Sequence, residues 1–281
     1  MKYLIIGKNG QLGKEFIKEL EKNQLTFLAL THQDLELSDY NSVLKVIDSF
    51  KPDIVINCSA YNQVDLAEKE LEKSYNSNTL GVYNLKLAQE KYNFFLVHYS
   101  TDYVFDGEKK GLYIEEDETN PLSQYAKTKL LGERMLNYQN NSKILVFRVS
   151  WVFGEGNQNF IYKLNQWAKA NNILKISCDE FSSPTSTKTI TNLTFKALEK
   201  GLNGLYHLNN NGFCSRHEYA KFIMKKINKD TIVYPVYAKD FNLPAKRPQF
   251  SAMSPNKISK ELNIILPDWE FEVEKYLNEY Y

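Results

Sequence analysis

The first 22 residues constrain this chain more than any other stretch. Tyr3 to Ile6 is a short apolar run rich in β-formers. It leads directly into Gly7-Lys8-Asn9-Gly10-Gln11-Leu12-Gly13, after which Lys14 to Lys22 carries Phe16, Ile17 and Leu20 at helical spacing. The order is strand, glycine turn, helix. Such a turn lets the backbone come close to a pyrophosphate, while the helix start offers unpaired N–H groups and the positive end of its dipole. The spacing, Gly7-x-x-Gly10-x-x-Gly13, differs from the dinucleotide fingerprint Gly-x-Gly-x-x-Gly.

The pattern then repeats. Thr26 to Leu30 reads as a second strand ending at Thr31-His32, where an acid would bind adenosine ribose hydroxyls and favour NAD. With Thr31 there and Lys8 within reach of a 2′-phosphate, the reading leans to NADPH, with NADH as the alternative. Asn41 to Phe50 places Val43, Leu44, Ile47 and Phe50 on one helical face, and Pro52 breaks it before the strand Asp53 to Cys58. Ser59-Ala60 ends that strand with small side chains, leaving room for a flat ligand at the carboxyl edge. Leu80 to Lys91 is a further amphipathic helix, introduced by Asn76-Ser77-Asn78, and Phe94 to Tyr99 is the next buried strand. Apolar strands alternating with helices predict an α/β fold, a Rossmann-type doubly wound parallel sheet.

Charge and cysteine content narrow the partners. Lys plus Arg number 35 against 34 for Asp plus Glu, so there is no footprint for a nucleic acid polymer or an anionic membrane. Three cysteines, Cys58, Cys178 and Cys214, lie outside any metal-ligand spacing and suit a reducing cytosol. The amino-terminal apolar run is too short for a signal peptide, and no segment approaches a membrane span. The expectation is a cytoplasmic protein acting on a small molecule.

The chemistry is concentrated between residues 100 and 129. Ser100-Thr101-Asp102 ends a strand at the same sheet edge as the glycine turn, and Ser123 starts a helix in which Tyr125 and Lys129, four apart, share one face. A hydroxyl, a phenol and an ammonium can then converge on one carbonyl. Thr101 would hold its oxygen, Tyr125 would deliver the proton, and Lys129 would hold the nicotinamide ribose and lower the phenol's pKa.

The order of these motifs, with Ser100-Thr101-Asp102-Tyr103-Val104-Phe105, Tyr125-x-x-x-Lys129 and Arg148-Val149-Ser150-Trp151-Val152-Phe153-Gly154, resembles the extended short-chain dehydrogenases. Within them it is most similar to the dTDP-4-dehydrorhamnose reductase family, over nearly the whole length. The resemblance implies NAD(P)H-dependent reduction of the C4 keto group of dTDP-4-dehydro-6-deoxy-L-mannose, with Thr101, Tyr125 and Lys129 catalytic. It further implies Gly7, Gly10, Gln11, Leu12, Gly13 and Thr31 along the cofactor, Asp39 and Tyr40 near the adenine, and Ser59, Ala60, Tyr61 and Asn78 beside it. Val64, Thr101, Asp102 and Trp151 fall against the sugar. Nucleotide-sugar 4,6-dehydratases are similar but carry Thr-Asp-Glu where this chain has Thr101-Asp102-Tyr103, so reduction is the better reading.

After the strand Ile144 to Trp151 the alternation loosens, which predicts a cofactor domain over 1–153 and a smaller substrate lobe over 154–281. The two interleave where the chain crosses back near 185–202, and the strand Gly204 to Leu208 belongs to the lobe. Asp179-Glu180-Phe181-Ser182-Ser183-Pro184-Thr185 departs from the family's Asp-Gln-x-Gly-x-Pro-Thr, which leaves the sugar and nucleotide open. Arg247, followed by Pro248, matches the family's Arg-Pro element and is the candidate cation for the diphosphate. No metal site is expected from the residues, and Mg2+ is compatible with the resemblance without being spelled by scattered carboxylates. A nucleotide-sugar epimerase, a non-catalytic relative like the regulatory subunit of methionine adenosyltransferase, and a homodimer all stay open.

Overall fold

Six short runs dense in Val, Ile, Leu and Phe become the strands of one parallel sheet. The computed structural model describes residues 1–141, 143–227 and 230–281. The strands are β1 (Lys2–Ile6), β2 (Thr26–Leu30), β3 (Ile54–Asn57), β4 (Phe95–Thr101), β5 (Ile144–Val149) and an edge strand, Gly204–His207. Their spatial order is Gly204–His207, β5, β4, β3, β1, β2, with every neighbouring pair parallel. The helices between them are α1 (Gln11–Lys22), α2 (Tyr40–Phe50), α3 (Leu71–Tyr75), α4 (Gly81–Tyr92) and α5 (Gln124–Met135). Both sheet faces are covered, which is why the strands are apolar on both sides. Phe16 and Leu20 of α1 pack on one face with Ile190 and Leu193 of the helix Thr187–Glu199. Val43, Ile47, Val82 and Leu85 of α2 and α4 cover the other.

The chain steps from β1 outward to β2 and then crosses to β3 on β1's other side. That reversal opens a crevice at the carboxyl ends of β1 and β3, where open α/β sheets bind ligands.

Three local features differ from the sequence reading. Asn76-Ser77-Asn78 does not begin a helix; Asn76–Leu80 is a π-helical turn continuous with α3 and α4. This bulge brings the Asn78 carbonyl against Gly132 of α5, a contact that any Cβ at Gly132 would block. The strand expected from Ile144 to Trp151 leaves the sheet after Val149, because Val152–Phe153 pairs instead with Thr185–Ser186. Finally, Gly204–His207 lies in the main sheet beside β5.

The helix Asn256–Leu262 also packs on the main sheet, through Ile258, whereas most of the other elements gather around a separate core. Helices Phe160–Ala170, Arg216–Lys226 and Trp269–Tyr280, with the parallel strands Ile173–Ser177 and Ile232–Val236, enclose Phe153, Leu164, Ile176, Tyr219 and Trp269. Among the described residues no helix is long and apolar enough to cross a membrane.

Candidate active site

The crevice floor is backbone. Gly7 sits at φ +92°, and a Cβ on it would lie 2.9 Å from the Ser59 amide nitrogen. A Cβ on Gly13 would run into the Gly7 carbonyl. Glycine is therefore required twice, once for the left-handed turn and once for the approach of α1 to it. Gly10 caps α1 with no side-chain hydrogen bond, so the helix start is left to a ligand. Gln11 and Leu12 form its first turn, the Gln11 side-chain Nε2 donating to the Val152 carbonyl at 2.9 Å. This cradle fits a dinucleotide pyrophosphate.

At the end of β2 the sequence reading needs correcting. An acid is present: Asp34, three residues past the strand, accepts from the Thr31 N–H at 2.9 Å and the Thr31 hydroxyl at 2.8 Å. Lys8 pairs with the same oxygen at 3.3 Å. These hydrogen bonds, the Thr31 amide's first, hold the Asp34 carboxyl down at about 2. Lys8 is thus already facing an anion. Nearby, Asp39 caps α2 by accepting from the Asn41 N–H at 3.0 Å, and Tyr40 opens that helix half-buried.

The loop after β3 is clamped from two sides. Asn57 accepts from both the amide and the hydroxyl of Ser59, at 3.1 and 2.6 Å. Asn78, aimed by the π-turn, accepts from the Tyr61 N–H at 2.9 Å and donates to the Tyr61 carbonyl at 3.1 Å. Ala60 is held between these clamps, and Tyr61 and Val64 pack against Tyr125 and Ala126.

Thr101, Tyr125 and Lys129 meet at the carboxyl end of β4. Ser123 caps α5 by accepting from the Ala126 N–H at 3.3 Å, which sets Tyr125 and Lys129 on the buried face. Burial pushes the Tyr125 phenol well above its usual range, while the Thr101 hydroxyl acts in the opposite sense. Lys129 donates to the Tyr99 carbonyl at 2.6 Å, and burial brings its ammonium down to about 8. Here the ammonium is spent on a backbone carbonyl, so the expected lowering of the phenol by Lys129 is replaced by a desolvation that raises it. At neutral pH Tyr125 carries its proton and Lys129 its charge.

Side chains dominate the sugar side, and three of them, Asp65, Arg216 and Ser251, carry no sequence signal. Asp102 is 2% exposed and accepts from Thr101 at 3.2 Å, Ser182 at 2.8 Å and Ser251 at 2.5 Å. Burial raises its carboxyl, against the pull of those hydroxyls and of Arg216. Ser182, the departure from the family's glycine, is thereby explained as an Asp102 ligand. Trp151 takes a left-handed backbone at φ +38°, a strained position for a bulky residue. The candidate diphosphate cation, Arg247, is already engaged. Both its terminal nitrogens reach Asp65, at 3.1 and 2.6 Å, and this pairing lowers the Asp65 carboxyl although burial alone would raise it. Tyr103 stands edge-on to Tyr125 at 6.4 Å. Ser182 lies in the segment Asp179 to Thr185, whose departure from the family pattern is visible in the sequence. Among the described residues no group of three or more His, Cys, Asp or Glu is placed to hold a metal ion.

A doubly wound sheet, a glycine cradle at its switch point and a Thr–Tyr–Lys group at the neighbouring strand end define the extended short-chain dehydrogenase class. Comparison with known proteins narrows this. The family model described as RmlD substrate binding domain matches residues 1–281, and the chain belongs to that family. It is similar to the spore coat polysaccharide biosynthesis protein SpsK of Bacillus subtilis, 34% identical over 99% of this chain and 97% of that one. It is 35% identical to the dTDP-4-dehydrorhamnose reductase of Aggregatibacter actinomycetemcomitans, covering 95% of each. Among solved structures it superposes on the Bacillus anthracis dTDP-4-dehydrorhamnose reductase in complex with NADP, with a TM-score of 0.95, 31% identity and 99% of each chain covered.

Proposed function

We propose that this chain reduces the C4 keto group of dTDP-4-dehydro-6-deoxy-L-mannose, giving dTDP-L-rhamnose, at the expense of a reduced nicotinamide. The observation that carries the reading is the protonated, buried Tyr125 beside the Thr101 hydroxyl at a strand end next to the glycine cradle. Gly7, Gly10 and Gly13 with the start of α1 would hold the cofactor's pyrophosphate, and Ser59, Ala60 and Tyr61 would border it. When bound, the nicotinamide supplies hydride to the carbonyl carbon. Thr101 orients the carbonyl oxygen, and Tyr125 gives it a proton, a role suited to a phenol that is neutral at working pH. Lys129, charged and rigidly held by the Tyr99 carbonyl, offers its remaining N–H groups to the ribose.

Cofactor choice rests on the Lys8–Asp34 pair: Asp34 suits the ribose hydroxyls of NADH, and Lys8 suits a 2′-phosphate. Both cofactors should serve. The segment 1–153, joined by 185–202 and by the sheet strand Gly204–His207, carries the cofactor in this reading, and the rest of 154–281 carries the sugar nucleotide.

The test is oxidation of NADPH and of NADH on adding dTDP-4-dehydro-6-deoxy-L-mannose. Tyr125→Phe should lower kcat by about 10²–10⁴-fold, the usual worth of a positioned acid, while leaving NADPH affinity within a factor of about two. Full turnover by that variant would refute the assignment of the proton donor. NAD(P) retained through purification with no net oxidation would point to an epimerase instead.

A further inference from the structure

Two guanidiniums flank the sugar side, and they are not equivalent. Arg247 is held in a fork by Asp65, which satisfies the geometry and the charge that a diphosphate would otherwise use. Arg216 is different. Its guanidinium carbon lies 3.5 Å from the centre of the Trp151 ring and 5.1 Å from that of Phe160. Among the described residues no carboxylate comes within ion-pairing distance of it, whereas both Arg148 and Arg247 have one.

The position of Arg216 is fixed from the backbone. Cys214–Ser215 pairs antiparallel with Phe181–Ser182, and the Arg216 N–H donates to the Glu180 carbonyl at 3.1 Å. Ser182, on that partner strand, is the residue whose hydroxyl reaches Asp102. Arg216 is therefore tied to the segment that reaches Asp102, and its charge is felt at both Asp102 and Tyr103. Arg216 covers one face of Trp151, and Tyr219 stacks nearly parallel to the same ring at 6.2 Å and 17°. A ligand approaching the covered face meets a guanidinium rather than an indole. Stacking of this kind orients a weakly hydrated cation while leaving its in-plane N–H groups free for a planar or tetrahedral anion.

We infer that Arg216, held flat on Trp151, is the cation that binds the diphosphate of the sugar nucleotide, with Arg247 serving chiefly to fasten its loop to Asp65. This rests on the proposed reading of the site as one for a nucleotide sugar.

The experiment is isothermal calorimetry of dTDP, thymidine and NADPH with the wild type and with Arg216→Gln, Arg216→Lys and Arg247→Gln, with turnover of the keto sugar followed in parallel. Arg216→Gln should weaken dTDP by about 10- to 100-fold, the scale of a lost charged hydrogen-bond pair. Thymidine and NADPH should be unchanged, and Arg216→Lys should recover part of the loss. Arg247→Gln should weaken dTDP less. Unchanged dTDP affinity in Arg216→Gln overturns the inference, as does a loss shared equally by thymidine and NADPH, which would mark a structural role. A wild type that does not bind dTDP overturns it as well. Wild type that binds dTDP through Arg216 but fails to reduce the keto sugar leaves the inference standing and retires the proposed reaction.

Discussion

The two walls of the crevice are built on opposite principles. On the cofactor side the ligand-facing surface is backbone: a left-handed Gly7, a helix packed against it through Gly13, and an uncapped amide array. Few residues can substitute there, because the constraint is steric. On the sugar side the surface is side chains already bound to one another, Arg247 to Asp65 and Asp102 to three hydroxyls. Such side-chain contacts can be replaced by others without a change of backbone conformation. The cofactor side is thus committed to one shape, while the sugar side can be retuned by single substitutions.

The sharpest break in that comparison is Gly13→Ala. A methyl group forced into the Gly7 carbonyl should lower stability by about 1–3 kcal/mol, as overpacking does. It should also weaken NADPH by more than about 100-fold, an estimate that combines a displaced helix start with lost amide contacts. Calorimetry and thermal melts check both, and an unaffected NADPH affinity would mean that the cradle yields more than its contacts suggest.

Next in size is the pH profile. The folded pKa of Lys129, about 8, lies below the ordinary lysine range because burial penalises the charged amine. The protonated form is the one assigned to hold the ribose, so kcat/KM for NADPH should be level below pH 8 and fall by about tenfold per unit above it. The same depression has a stability sign. The unfolded chain binds the extra proton between about pH 8 and the unfolded lysine value near 10.4, so this group's contribution to stability rises with pH across that window. A rate profile flat to pH 10 would remove Lys129 from the role given to it.

Smaller effects should come from the exchangeable contacts. Asp34→Ser removes the acid proposed to meet the ribose hydroxyls and frees Lys8, and it should raise the NADPH-to-NADH preference by about tenfold, the worth of one charged hydrogen bond. Asp65→Asn releases Arg247 and should change dTDP affinity by no more than about threefold, since the pair is partly exposed and the freed side chain gains entropy. A large gain in affinity would show Arg247, rather than Arg216, to be the preferred diphosphate partner.

The sequence spoke most clearly where contacts are local. Helical spacing in Lys14 to Lys22, the glycines that open it, and Ser123 ahead of Tyr125 are short-range signals, and each corresponds to an element and a cap in the folded chain. Asp34 gives no signal at the strand end because it reaches back three residues to Thr31 instead of occupying that end. Ser182 and Ser251 lie 80 and 149 residues from Asp102, and nothing in their own neighbourhoods marks them as its ligands. The run Gly204 to His207 reads the same in any sheet, and only the register against β5 assigns it to the main one. The Tyr125 environment is hidden for a related reason: four-residue spacing puts Lys129 on the right face but does not reveal that the Tyr99 carbonyl claims the ammonium.

The place of Gly204–His207 at the sheet's edge also bears on how the chain is made. During synthesis β5 emerges with one row of backbone donors and acceptors unpaired, and its partner is encoded after the intervening small strands and two helices. At about 5–20 residues per second the nascent chain carries that open edge for several seconds. An exposed apolar edge is a template for pairing with other chains. The interval before Gly204–His207 arrives is therefore when a growing chain is most exposed to aggregation, and synonymous codon changes that slow translation between the two strands should reduce soluble yield without altering any residue of the finished protein.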